Sequence, residues 1–105
     1  MSKYHSRKTE VDGIVFDSMK EARRYQELKL LQKAGLIYDL RLQERIEIIP
    51  KTDKYRARYY VCDFTYIDTE QKCKIYEDVK GVRTPVYLLK RAIMYWRHGI
   101  DIKEI

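Results

Sequence analysis

Two stretches of alternating residues leave the middle of this chain few ways to fold. They are Tyr59-Tyr60-Val61-Cys62-Asp63-Phe64-Thr65-Tyr66 and Cys73-Lys74-Ile75-Tyr76-Glu77-Asp78-Val79-Lys80. A period of two is the mark of a strand, and it predicts Asp78 and Lys80 on one face. An antiparallel pairing that brings Asp63 to Asp78 sets Lys80 opposite Val61, so the three polar groups are expected to share a side. An aspartate inside a Tyr-Val-Cys-Asp-Phe run has poor strand propensity, and burying it unpaired is costly.

With 105 residues, the chain has room for one compact domain. Its hydrophobic fraction of 45% supports a core, whereas 36% charged residues argue against a membrane protein. No apolar run approaches the roughly 18–20 residues that a spanning helix needs. The start, Met1-Ser2-Lys3-Tyr4-His5-Ser6-Arg7-Lys8, lacks the apolar segment of a secretory signal. A formal charge of +6 favours a polyanionic partner. Cys62 and Cys73 read as reduced thiols of a cytoplasmic protein, because the expected register keeps them apart. His5 and His98 stand at opposite ends of the sequence, which excludes a tetrahedral zinc site and a histidine-based nuclease centre.

Residues 1–10 read as a flexible basic arm and 11–105 as the folded domain, with a turn at Asp12-Gly13. Ser18-Met19-Lys20-Glu21 is a capping-box signature opening a helix to about Ala34, with Gly35 as its stop. Its inward stripe is Ala22, Tyr25, Leu28 and Leu31 or Gln32, leaving Arg23, Arg24, Lys29 and Lys33 mostly outside. Strands are predicted over Leu42–Ile49, about Tyr55–Ile67 and Cys73–Lys80. Thr84 as N-cap and Pro85 at N1 open a second helix with apolar residues Val86, Leu89, Ile93 and Trp96. Gly99 closes it, and Ile100–Ile105 alternates as a terminal strand. The order is α-β-β-β-α-β, a mixed β-sheet flanked by helices in an α/β fold.

Two carboxylates converging in a cleft suit a hard divalent cation, and an adjacent lysine can steady a water or a phosphate. That combination is suited to hydrolysing a phosphodiester. Each residue also has a plainer role open to it. Asp63 could be an edge-strand aspartate on a wet face, and Asp78 with Lys80 a surface ion pair. Glu77, on the face of Ile75 and Val79, is the second choice of ligand after Asp78. Glu21 sits three residues after Ser18, so the capping box alone accounts for it.

The Asp63 … Asp78-x-Lys80 motif resembles the PD-(D/E)xK, or restriction-endonuclease-like, nuclease superfamily. The whole chain is similar to a small bacteriophage and prophage family assigned there. The resemblance rests on Thr9-Glu10-Val11-Asp12-Gly13, Phe16-Asp17-Ser18, Glu21-Ala22-x-x-Tyr25, Cys62-Asp63-Phe64-x-Tyr66 and Glu77-Asp78-Val79-Lys80-Gly81. Cys62 stands where the signature has its proline. The resemblance implies a metal-dependent DNA endonuclease with Asp63, Asp78, Lys80 and Glu21 catalytic. Mg²⁺ or Mn²⁺ would be held by Asp63, Asp78, the Val79 backbone carbonyl and Glu21.

DNA is the expected partner, through phosphate contacts that do not read sequence. The candidates are Lys51, Lys54, Arg56 and Arg58 at the first hairpin, Lys90 and Arg91 on the second helix, Lys3, Arg7 and Lys8 on the arm, and Arg83 just past Lys80. Ten tyrosines exceed what such a core needs, so an exposed subset could stack on distorted DNA. A homodimer is expected from the small size, and phage recombination or packaging proteins are further expected partners, all in the host cytoplasm. The alternative is a catalytically silent phage module that binds DNA or another protein.

Overall fold

A computed structural model describes residues 7–80 and 82–105. The hairpin β1 (Thr9–Val11) and β2 (Ile14–Phe16) comes first, turned by Asp12 and Gly13, both at positive φ. These are the residue types that tolerate such a tight two-residue turn. Helix α1 (Met19–Lys33) follows, then strands β3 (Ile37–Ile49), β4 (Arg58–Asp68) and β5 (Lys74–Asp78), helix α2 (Pro85–His98) and strand β6 (Lys103–Glu104). Strands β3-β4-β5-β6 form one mixed sheet, antiparallel except for β5 with β6, and the two helices flank it.

The predicted order of core elements is present, with several changes of boundary. Thr9 and Glu10, assigned to the arm, pair with Phe16 and Val15 in the hairpin. The rest of that arm, residues 1–6 including Lys3, lies outside the described residues, while Arg7 and Lys8 are exposed. Strand β3 starts at Ile37, five residues before the predicted Leu42. Asp39 at φ 56 and a register shift between Tyr38 and Arg41 mark a bulge that carries the strand through a charged stretch. Strand β4 starts only at Arg58, because Thr52 and Tyr55 close a turn on each other. The terminal strand contracts to two residues, and Ile102 just before it is buried.

Both helices start at the caps their sequences predict, although Glu21 turns its carboxylate to Gln43 and leaves the capping box half made. Ser18 Oγ accepts from Glu21 N, and Thr84 Oγ1 accepts from Tyr87 N. Gly99 ends α2 in the left-handed region at φ 68, where a β-carbon would be strained. Helix α1 buries Ala22, Tyr25 and Leu28 as expected. Helix α2 does not bury its predicted stripe. Its buried residues are Tyr87 and Met94, while Val86, Leu89 and Trp96 are exposed. Apolar spacing identifies a face of a helix but not what covers that face, and here Ile93 alone of the predicted four reaches the core in part.

Two hydrophobic clusters form the interior. Phe64 and Tyr66 of β4 pack with Phe16, Ala22, Tyr25 and Leu28, joined by Leu42 and Ile75. Tyr60 and Cys62 pack with Ile48, Tyr87, Met94 and Ile102, joined by Ile46 and Tyr76. Ile75 and Tyr76 are neighbours on one strand and face opposite sides, so the clusters lie on opposite faces of the sheet. Yet all four β4 residues are even-numbered, as are Leu42, Ile46 and Ile48. The alternation must therefore reverse between Cys62 and Phe64 and between Leu42 and Ile46. Gln43, at φ 53 and absent from the ladder, marks the reversal.

A buried ion pair ties α1 to the sheet. Glu77 is fully buried and accepts from Arg24 Nε at 2.9 Å and Nη2 at 2.6 Å, and also from the Tyr66 hydroxyl. Arg24 was expected to lie mostly outside, but only 16% of its side chain is exposed. Arg24→Met strands the Glu77 carboxylate and is expected to cost about 3 kcal/mol in urea unfolding. Replacing all three groups (Arg24→Met, Tyr66→Phe, Glu77→Leu) is expected to recover most of that loss, because no buried polar group is then orphaned.

Candidate functional site

The ladder between β4 and β5 runs from Ile67↔Lys74 to Phe64↔Glu77, so Asp63 and Asp78 come next in register, as expected. Beyond that point side chains take over from strand pairing. Asp63 Oδ2 accepts from Val79 N at 2.9 Å, so this aspartate clasps the backbone of the other strand just past the last ladder pair. It is the Val79 amide N–H, rather than its carbonyl, that meets Asp63.

The reversal at Gln43 directs Asp63 toward α1. Gln43 Nε2 donates to both Asp63 Oδ1 and Glu21 Oε1, each at 3.3 Å. Glu21 is buried, so of the two roles open to it the capping is done by Ser18 and the backbone of Glu21, and the carboxylate is turned to the sheet. Asp17, Ser18, Lys20, Glu21, Asp63, Val79 and Lys80 line one hollow of about 300 Å³. Asp78 instead lines a second hollow with Tyr60, Val61, Lys80, Thr84, Val86, Tyr87 and Lys90. Lys80 belongs to both, with Nζ 3.7 Å from Asp78 Oδ2 and 4.3 Å from the centroid of the Tyr87 ring. Glu21, Asp63 and Lys80 are therefore brought together, whereas Asp78, expected to share a side with Asp63, faces the α2 hollow and adjoins them only across Lys80, because the period of two is broken beside Asp63.

The electrostatics are those of crowded acids. Burial, then the charges of Asp63, Asp17 and Asp78, push Glu21 up to about 7 from its ordinary 4.5, against the pull of Lys80. Burial pushes Asp78 up to about 6 against Lys80, and burial also raises Asp63, opposed by the Val79 N–H. Asp78 Oδ2 is buried without a hydrogen-bond partner among the described residues. Hard carboxylate oxygens of this kind suit Mg²⁺ or Mn²⁺. Among the described residues, however, no three His, Cys, Asp or Glu side chains stand together as a ready metal cage.

Other predicted residues are engaged elsewhere. Glu77, the second choice of ligand, has both oxygens taken by Arg24 and Tyr66. Arg83 pairs with Glu104, and Arg91 reaches Glu104 at 3.0 Å and the Ile102 carbonyl at 3.1 Å. The Tyr87 hydroxyl and then Arg83 hold Glu104 down at about 2. Lys51, Lys54, Arg56 and Arg58 are exposed around the β3–β4 connection, Arg58 lying about 16 Å along the strand from Asp63. Sequence reasoning missed Gln43 and Asp17 at the site. Asp17 stands beside the predicted cap Ser18, a signal that was available; Gln43 carries none, since its position depends on an unusual backbone angle.

Between pH 4.5 and about 7 the folded protein keeps the Glu21 proton that the unfolded chain releases, so stability falls as pH rises across that window. Glu21→Gln preserves an acceptor for Gln43 and removes the charge. In thermal melts it is expected to raise Tm above that window and to flatten the decline within it.

No curated protein and no solved structure matches this chain. A family model described as Protein of unknown function (DUF1064) matches residues 1–103. The chain, with its adjoining acidic and lysine-lined hollows, belongs to that family.

Proposed function

We propose that this protein is a metal-dependent deoxyribonuclease of the PD-(D/E)xK type, hydrolysing phosphodiester bonds of DNA. The observation that carries the reading is the hollow in which Asp17, Glu21 and Asp63 meet Lys80. The charges of Asp63 and Asp17 both push Glu21 up, and carboxylates lining one depression are a poor arrangement unless a cation joins them. The lysine beside them suits a phosphate.

Asp63 and Glu21 would hold a divalent cation, with Asp78 and its unpartnered Oδ2 turning in from the adjoining hollow. The Val79 carbonyl would be a further ligand. When bound, Mg²⁺ or Mn²⁺ supplies charge neutralisation at the phosphate and a more acidic water. Gln43 keeps Glu21 and Asp63 side by side through its two hydrogen bonds. Lys80, between the hollows, places its ammonium where it can neutralise charge developing on a phosphate oxygen. The exposed Lys51, Lys54, Arg56 and Arg58 would hold the duplex by its phosphates. Branched DNA arising in phage recombination or packaging is the preferred substrate.

A second reading is a non-catalytic phage module that binds DNA or protein. The bond from the Val79 N–H to Asp63 favours it, because it gives that aspartate a structural task. One set of assays separates the two. Duplex, single-stranded, flap and four-way-junction DNA are incubated with Mg²⁺, Mn²⁺ or EDTA. The nuclease reading expects cutting that EDTA stops and that Asp63→Ala and Lys80→Ala each reduce about 100-fold or more. Absence of cutting on every substrate, with salt-sensitive binding that Asp63→Ala preserves, would establish the silent module instead.

A further inference from the structure

Helix α2 is amphipathic the wrong way round for a helix that belongs only to this domain. With about 100° between successive residues, Tyr87, Arg91, Met94 and His98 share one side. Tyr87 and Met94 are buried there, Arg91 bonds the Ile102 carbonyl, and His98 Nε2 lies 2.7 Å from the Glu47 carbonyl. The opposite half of the circumference carries Pro85, Val86, Leu88, Leu89, Ala92, Tyr95 and Trp96, with Ile93 among them half-buried against the core. No charged residue interrupts it. Trp96 is 82% exposed, Tyr95 64%, Val86 63% and Leu89 62%.

We infer that this outward face of α2 is where a second copy of the chain docks, the two helices crossing about a twofold axis. With roughly 150–250 Å² for each large apolar side chain, the exposed part of this face is on the order of 700 Å². That exceeds the patch of about 300–600 Å² usual on a monomer, and it approaches the roughly 800 Å² per partner of a stable interface.

Charge selects the occupant. A helix that lies on lipid or DNA keeps its basic residues free to meet phosphates. Here Arg97 pairs with Glu47 at 3.2 Å, and Arg91 with Glu104 and Asp101. The α2 arginines are thus neutralised within the chain; Lys90, the remaining basic side chain before His98, lies off this face beside the Asp78 hollow, and the face itself is apolar and uncharged. Such a face fits a neutral apolar partner, and it is complementary to itself. An antiparallel crossing sets Trp96 of each helix against Val86 of the other, with the small Ala92 near the axis allowing close approach. This inference does not depend on nuclease activity.

Trp96 is the only tryptophan, so its fluorescence reports this surface alone. The full chain is examined by sedimentation equilibrium and tryptophan emission from micromolar to hundreds of micromolar concentrations. The expected result is a species of twice the 12.8 kDa chain mass, with emission shifting to the blue as it forms. Trp96→Glu and Leu89→Glu, at exposed positions, are expected to weaken association about 30-fold or more while circular dichroism and Tm stay those of the wild type. The variants' mass alone reports Trp96→Glu, which lacks the fluorophore. A wild-type monomer at every concentration overturns the proposal. So does a dimer that both variants retain, or a blue shift that appears only with anionic phospholipid vesicles or with DNA. Should both variants unfold, Ala92→Arg is the third probe, and its unimpaired dimer would equally overturn it.

Discussion

The buried Glu77 carboxylate, gripped by Arg24 and Tyr66, is the contact on which the placement of everything else depends. A charge taken out of water on a central strand must be matched in full, and here three donors from a helix and the neighbouring strand match it. Arg24 cannot reach Glu77 unless α1 packs on the side of the sheet that carries Phe64 and Tyr66. That single requirement sets the helix on the Phe64 face and carries Ser18, Glu21 and the preceding Asp17 to the end of β5. The acidic hollow is a consequence of that docking.

The second constraint is the change of face within β3 and β4. A regular antiparallel pair would offer one apolar side and could hold only one helix against it. By reversing at Gln43 and Asp63, the same two strands present Leu42, Phe64 and Tyr66 to α1 and Ile46, Ile48, Tyr60 and Cys62 to α2. Regular pairing of β4 with β5 ends beside this point, and the freed Val79 N–H finds its partner in the Asp63 carboxylate. The polar residues of the site are therefore also what close the sheet where it stops being regular. The same closure crowds the carboxylates, which accounts for the lift of Glu21 to about 7.

Around α2 the balance runs differently. Its inner side is joined to the domain by Tyr87, Met94 and a polar network centred on Glu104, which accepts from Tyr87 at 2.6 Å and pairs with Arg83 and Arg91. Two arginines that the motif reading would have offered to DNA are consumed in holding β6 and α2 together. The larger apolar surface of the helix is left outside. A sequence pattern that looks like a core stripe is here the pattern of an interface, and periodicity has no means of distinguishing the two.

Local chemistry was sufficient for what local interactions control. Ser18 and Thr84 announce helix starts because their side chains cap nearby amides, and Gly99 announces a stop because it tolerates the left-handed region. Alternation announced β4 and β5 as strands, and the antiparallel pairing posited between them is the one whose ladder leads to Asp63 and Asp78. What the sequence could not decide were the outcomes set by residues distant along the chain. Arg24 reads as a solvated lateral residue until Glu77, fifty-three positions away, proves to be buried opposite it. Asp63 reads as sharing a side with Asp78 until Gln43 on another strand breaks the period of two. Those choices rest on desolvation and on which faces meet, and only the tertiary structure determines them.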